Sequence, residues 1–167
     1  MVHATTRPIW DPYDPALTPG KYVWASIEGR GGEVDAVFFE CKVEADLAET
    51  FGVKSNRCNA YRTQDDEPQL RKQITQDFYR VGKWNSEAAK ELGDEKSFFP
   101  HLSGDSPKLY SSTGHAPYPI ALYREYQELT RAACDNSRKR QQSRAPASDS
   151  DFSARQFLVR RCDTALR

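Results

Sequence analysis

The sequence predicts an α+β fold, in which an N-terminal β-hairpin and one main helix pack with an antiparallel sheet, with long loops and disulfide bonds. Three observations predict it. Aromatic and β-branched runs flank a glycine-rich turn near residue 30, a segment near residue 74 carries one apolar stripe at helical spacing, and later segments alternate apolar and polar residues. A chain of 167 residues fits one domain.

Composition indicates a small, loop-rich domain rather than a large enzyme core. Only 38% of the residues are hydrophobic, whereas 11% are aromatic, and the mean hydropathy is -0.80. The net charge is zero, but residues 124–167 contain ten basic and six acidic residues, a net charge of +4. This basic end permits an anionic partner without requiring one. No segment is long and apolar enough to span a membrane.

The four cysteines predict two disulfides in a secreted protein. Cys41, Cys58, Cys134 and Cys162 lie far apart and form no CxxC pair, so we expect no metal site, and the sequence indicates no cofactor. The pairing does not follow from the sequence, and four reduced thiols buried in a cytosolic protein are the alternative. The first ten residues have no apolar run, so a secreted protein would be seen here as its mature form.

The N-terminal half is predicted to be an arm followed by a hairpin. Residues 1–20 contain four prolines and are interpreted as an extended arm before a single domain over residues 21–167. In residues 21–43, two aromatic and β-branched runs flank the turn at 29–32, which is a hairpin pattern. The following segment, EADLAETFG, predicts a short helix that ends at Gly52.

The main helix is predicted within residues 65–84. Pro68 suits its first turn, and acidic residues at its start favour the positive end of the helix dipole. An apolar stripe then runs through Leu70, Ile74, Phe78 and Val81, which we expect to pack on the sheet. A further turn or two of helix is predicted for SEAAKEL, before Gly93.

The C-terminal third is predicted to contain two strands separated by a mobile loop. YPIALYREY, residues 118–126, has the alternation of a strand, although LYREYQELTRAAC also has helical spacing. Residues near 135–153 have almost no apolar content and predict a mobile loop. ARQFLVRRC, residues 154–162, predicts the final strand.

The order of these motifs resembles a known family. RCNAYR, the helix from Pro68, FFPH, PYPIAL, a long loop and SARQFLVRRC follow one another. This order resembles that of the fungal guanyl-specific ribonucleases and ribotoxins, over about Cys41 to Cys162. The resemblance implies a main helix on a curved antiparallel sheet, and the N-terminal hairpin is similar to the ribotoxin hairpin. It is strongest to secreted, catalytically degenerate ribonuclease-like effectors of plant-pathogenic fungi.

The resemblance assigns roles to two residues in RNA cleavage, which needs a base, an acid and a cation on the phosphate. His101, in FFPH, matches the histidine that assists the base. Arg155 matches the phosphate-binding arginine, with Arg160 or Arg161 as alternatives if the register shifts. Tyr110 and Tyr118 are candidates for stacking on bases.

Two other catalytic positions of that family are not matched. Pro117 stands where the family has a glutamate, and no histidine follows His115. Because an acid or a base contributes roughly 10²–10⁴-fold each, we expect a pseudoenzyme, with His101 as a remnant. The predicted function is a secreted fungal virulence effector that binds host RNA or a host protein. An active guanyl-preferring ribonuclease or ribotoxin, and an unrelated disulfide-rich interaction domain, are the alternatives.

Overall fold

A computed structural model describes residues 10–14, 16–53, 55–61, 66–84, 87–94, 102–112, 116–143 and 162. The described part of the chain forms five α-helices, and it contains two isolated β-bridges but no strand. The predicted α+β fold with a curved antiparallel sheet is therefore wrong for these residues. The helices are α1 (Pro19–Ile27), α2 (Glu33–Phe51), α3 (Glu67–Phe78), α4 (Glu87–Asp94) and α5 (Tyr118–Ser143).

Two helices replace the predicted N-terminal hairpin. Thr18 caps α1 by accepting a hydrogen bond from the Lys21 N–H at 3.2 Å, and Pro19 occupies the first turn. The buried residues of α1 include Tyr22, Val23, Ser26 and Ile27, which lie on one side of a helix but not of a strand. Burial of this face therefore outweighs the β propensity of the segment.

The glycine-rich segment is a turn, as predicted, but it joins two helices. Gly31 has φ 75°, in the left-handed region that favours glycine. At Gly32 a Cβ atom would lie 2.7 Å from the Ile27 carbonyl oxygen, so no larger residue fits between the two helices. The Asp35 carboxylate accepts a hydrogen bond from the Gly31 N–H at 2.8 Å, which fixes the start of α2.

The helices predicted on either side of residue 60 are confirmed. α2 includes the segment predicted to end at Gly52, which has φ 66° and donates its N–H to the Ala48 carbonyl. α3 has a proline in its first turn, and Ile74 and Phe78 of the predicted stripe are fully buried. α4 falls on the short helix predicted before Gly93.

α5 replaces the strand predicted for residues 118–126, and the competing helical interpretation is confirmed. The buried residues Leu122, Tyr126, Thr130 and Ala133 recur every three or four positions. Residues 135–143, in the segment predicted to be a mobile loop, belong to α5, and the rest of that segment lies outside the described residues. The predicted strand over 154–162 also falls outside them, except for Cys162.

The core is built by α1 on α5, α2 on α3 and α4 on α5. The Tyr22 ring lies between the rings of Trp10 and Tyr126, at 5.2 Å and 5.9 Å between centroids. The Tyr126 hydroxyl donates to the Leu17 carbonyl at 3.1 Å. Residues 10–18, part of the predicted extended arm, thus contribute Trp10 and Leu17 to the packed body.

All four cysteines are paired, which confirms the two predicted disulfides. Cys41 of α2 is bonded to Cys58, and Cys134 of α5 is bonded to Cys162. The first bond closes a short segment onto α2, and the second holds Cys162 against the second half of α5. Each bond stabilises the fold by about 3–4 kcal/mol if it acts mainly on the unfolded chain.

Candidate functional site

The structure describes two of the four residues predicted for an RNA site. Tyr110 is 48% exposed and forms an isolated antiparallel bridge with Pro117. Tyr118 begins α5, and its ring packs edge-on against Phe78 at 4.8 Å. Burial, followed by the charge of Glu33 and a hydrogen bond with it, raises the pKa of the Tyr118 hydroxyl. His101 and Arg155 lie outside the described residues, so their role in RNA cleavage or binding stays a prediction.

Tyr118 also lines a depression of about 490 Å³ beside α5. Glu33, Arg124, Glu125 and Glu128 contribute charges to its wall. These charges are predominantly acidic, so the depression offers a phosphate backbone little attraction.

A buried polar cluster surrounds Asp77, whose side chain is 1% exposed. One carboxylate oxygen accepts from Arg80 Nε at 2.9 Å, and the other contacts Lys108 Nζ at 3.0 Å and the Tyr61 hydroxyl at 3.3 Å. Arg80 also lies 3.6 Å from Asp105. Because both oxygens of Asp77 are occupied by donors, the cluster is built to hold α3 in place rather than to accept a proton from a substrate.

Tyr61 and Tyr79 are the tyrosines most strongly perturbed by burial. Desolvation, followed by the charge and hydrogen bond of Asp77, raises the pKa of Tyr61 to about 12. Burial and a 2.6 Å hydrogen bond to Glu28 raise the pKa of Tyr79 as well. Both hydroxyls therefore stay protonated at neutral pH and act as structural donors.

The most prominent surface feature is an exposed apolar stripe on α2, formed by Phe39, Val43, Leu47 and Phe51. Their exposed fractions are 44%, 55%, 40% and 72%. Residues four positions apart advance by roughly 40° around a helix, so the four side chains form one continuous row about 18 Å long. We call this row the outer stripe.

The opposite side of α2 holds the helix to the body. Val34, Phe38 and Cys41 are buried, and the Arg71 guanidinium of α3 lies 4.1 Å from the centre of the Phe38 ring. Arg71 also forms an ion pair with Asp35. The helix thus has two apolar sides, of which one packs on α3 and the other, the outer stripe, is exposed.

The second half of α2 stands away from the body. A groove of about 450 Å³ runs between α2 and α3, and Ala45, Ala48 and Leu70 contribute to its walls. The groove exists because small alanines face α3 where larger residues would have filled the space. The last turns of α2 are therefore accessible from several directions.

Two links fix the surroundings of the outer stripe. The Cys41–Cys58 disulfide ties the segment after Gly52 back to α2. Next to the disulfide in sequence, Arg57 donates to the Glu40 carboxylate at 2.8 Å, and that hydrogen bond raises the pKa of Arg57. These links limit the motion of α2, which lowers the entropy that a partner would have to remove on binding.

The surface of α2 is strongly acidic. The helix contains one basic residue, Lys42, and six acidic residues, a net charge of −5. Lys42 is paired with Glu67 of α3 at 3.0 Å. By helical geometry, the exposed Asp46 borders the outer stripe on one edge and the exposed Glu40 borders it on the other, whereas Glu44 is buried.

Sequence reasoning missed the outer stripe, although its signal was present. Four large apolar residues recur at four-residue intervals from Phe39 to Phe51. The buried residues Val34, Phe38 and Cys41 precede or adjoin the first of them, and the run from Val34 to Val43 has the dense apolar composition of a strand. Separating two helical stripes in this run would have found both sides of α2.

The described residues contain no group of three or more side chains arranged to hold a metal ion. Within the same residues, no helix combines the length and the apolar content needed to cross a membrane. Comparison with known proteins found no matching family, no matching curated protein and no matching solved structure.

Proposed function

We propose that the protein is a secreted, non-catalytic interaction domain that binds a partner protein through the outer stripe of α2. The observation that carries this proposal is the row of four large apolar side chains, each at least 40% exposed, on the side of α2 opposite the buried Val34, Phe38 and Cys41. A partner that covers this row would gain roughly 25 cal/mol for each Å² of apolar surface that it removes from water.

The size of the row supports a specific contact. If a fully exposed residue of this size presents about 200 Å², the outer stripe exposes on the order of 400 Å². Contiguous apolar patches of this size on monomeric proteins are commonly functional. A partner covering it, together with the acidic edges, would bury about 800 Å² per side, which is the size of a standard protein interface.

The proposed secretion rests on the cysteines. All four are paired, and structural disulfides persist mainly in oxidising compartments.

A photo-cross-linking amino acid at position 43 tests the proposal, with Leu129 of α5 as the matched control position. Leu129 is also an exposed apolar helical residue, 36% exposed, but it does not belong to the outer stripe. In the extracellular fluid that the protein encounters, position 43 should yield a discrete protein adduct that Leu47→Glu abolishes. Adducts with RNA alone, or equal adducts from both positions, would contradict the proposal.

RNA cleavage is the rival function. It is tested separately, because it depends on His101 and Arg155 rather than on α2. Cleavage of guanine-containing RNA that is lost in His101→Ala but kept in His115→Ala would favour a ribonuclease. The interaction domain that we propose predicts no cleavage by the unmodified protein.

A further inference from the structure

We infer that the partner element bound by the outer stripe is a basic amphipathic α-helix that lies along α2. This inference rests on the proposed function and specifies the chemistry of the partner. It commits to a helix because the exposed apolar residues form a continuous row about 18 Å long that winds gradually around α2, as the apolar face of a second helix can follow. A helix of roughly 12–14 residues, with apolar side chains at i, i+4, i+7 and i+11, presents a complementary row of the same length.

Charge selects a basic partner. α2 contains six acidic residues and one basic residue, and the exposed Asp46 and Glu40 border the outer stripe on opposite edges. A partner with lysine or arginine on either side of its apolar row would place cations opposite Asp46 on one edge and opposite Glu40 on the other. An acidic partner would meet like charges along the whole contact, and an uncharged one would leave these carboxylates partly desolvated.

The same charges oppose self-association through α2. In an antiparallel pair of two copies, the apolar row would match itself, because Phe39 would face Phe51 and Val43 would face Leu47 of the second copy. The two helices would, however, bring the exposed acids at the edges of the outer stripe, Asp46 above all, against the same acids of the second copy. Repulsion between them favours a basic partner over a second copy at moderate salt.

The fixed geometry of α2 supports a helical partner with a defined position. The Cys41–Cys58 disulfide and the Arg57–Glu40 ion pair hold the chain beside the acidic edge that contains Glu40. Arg57 neutralises part of that edge, so the opposite edge, at Asp46, is the more negative of the two. We therefore expect the strongest salt-dependent contribution to come from Asp46.

Designed peptides provide the test. The probe is a fluorescent leucine–lysine peptide of about 14 residues with the complementary apolar row. One control has the same leucines with glutamate in place of lysine, and another has the composition of the probe in a non-amphipathic order. Binding is measured by anisotropy with the full-length, disulfide-bonded protein, and helix formation in the bound peptide by circular dichroism.

The leucine–lysine peptide should bind as a helix, and both controls should bind at least tenfold more weakly. Leu47→Ala and Phe51→Ala should each weaken binding about tenfold, whereas Leu129→Ala should leave it unchanged. Asp46→Asn should weaken binding about two- to fivefold at low salt. Equal binding of the probe and the scrambled control would overturn the inference, because it would show charge attraction without recognition of a helix.

Two further outcomes would also overturn the inference. One is equal or tighter binding of the glutamate peptide. The other is a dimer in sedimentation velocity that Leu47→Glu converts to monomer. Failure of the inference is distinguishable from failure of the proposed function: a protein adduct at position 43 without binding of the basic peptide would retain the interaction domain and reject this partner chemistry.

Discussion

Replacing Asp77 with alanine should destabilise the protein by about 3 kcal/mol. In the folded protein this buried carboxylate contacts Arg80 at 2.9 Å, Lys108 at 3.0 Å and the Tyr61 hydroxyl at 3.3 Å. Removing one partner of a buried pair costs about 3–5 kcal/mol when the other charge stays buried. Arg80 and Lys108 are 29% and 45% exposed, so water can solvate both cations in the variant, which places the cost at the lower end of that range.

Chemical denaturation measures this loss directly, provided that the dependence of the free energy of unfolding on denaturant concentration is the same for both proteins. The melting temperature should fall by about 6–12 °C for a chain of this size. Asp105→Asn is the matched control, because Asp105 is 66% exposed and lies 3.6 Å from Arg80. It should change the free energy of unfolding by less than about 0.5 kcal/mol. A loss below 1 kcal/mol in Asp77→Ala would refute the view that the cluster holds α3 in place.

Three further predictions concern the disulfide beside α2 and two titrating groups. Replacing both Cys41 and Cys58 with serine should lower stability by about 3 kcal/mol and weaken binding of the basic peptide, as measured by denaturation and anisotropy. Because the pKa of Tyr61 is raised from 10.0 to about 12, its stabilising contribution is complete below pH 10 and is lost as the pH rises towards 12. Tyr61→Phe should therefore flatten the alkaline limb of the stability profile, and an unchanged limb would count against the Asp77 contact. For Asp35, burial is the largest influence and acts to raise the pKa, but the hydrogen bonds from Arg71 and the Gly31 N–H, together with the charges of Arg71 and Arg30, outweigh it, so the pKa is lowered from 3.8. The stabilisation by the Asp35 carboxylate is present above that value and is lost as the pH falls below it. Asp35→Asn should therefore reduce the acid-induced loss of the free energy of unfolding, measured by urea denaturation at a series of pH values.

The helix of residues 67–78 was predictable because several local signals agree there. A proline in the first turn, acidic residues at the start and a single apolar stripe all favour a helix. The stop at Gly52 was predictable for the same kind of reason, since a left-handed residue ends α2. The pairing of four cysteines without a CxxC motif followed from the composition, although the identity of the pairs did not.

The predictions of an N-terminal hairpin and of a strand at residue 118 were wrong because short apolar runs fit both a strand and a helix. KYVWASI is rich in residues with high β propensity, but the Thr18 cap and Pro19 are helix-start signals that went unused. At residues 118–126 strand and helix patterns fit equally well. The longer spacing from Leu122 to Ala133, which only a helix satisfies, should have decided between them.

The fold prediction also depended on the resemblance to ribonucleases, which implied a sheet. The resemblance itself stays a prediction, and the interaction proposed for α2 does not rest on it. The outer stripe was missed because an exposed apolar row cannot be separated by sequence from a buried one. The burial of Val34, Phe38 and Cys41 and the packing of Phe38 on Arg71 show which side of α2 faces the body.

Chemical-shift mapping with the ¹⁵N-labelled protein and the leucine–lysine peptide tests the central claim most directly. The largest shifts should fall on residues 39–51 and decrease sharply in Leu47→Glu. Shifts concentrated on the depression beside α5, or spread evenly over the acidic surface, would contradict the assignment of α2 as the binding surface.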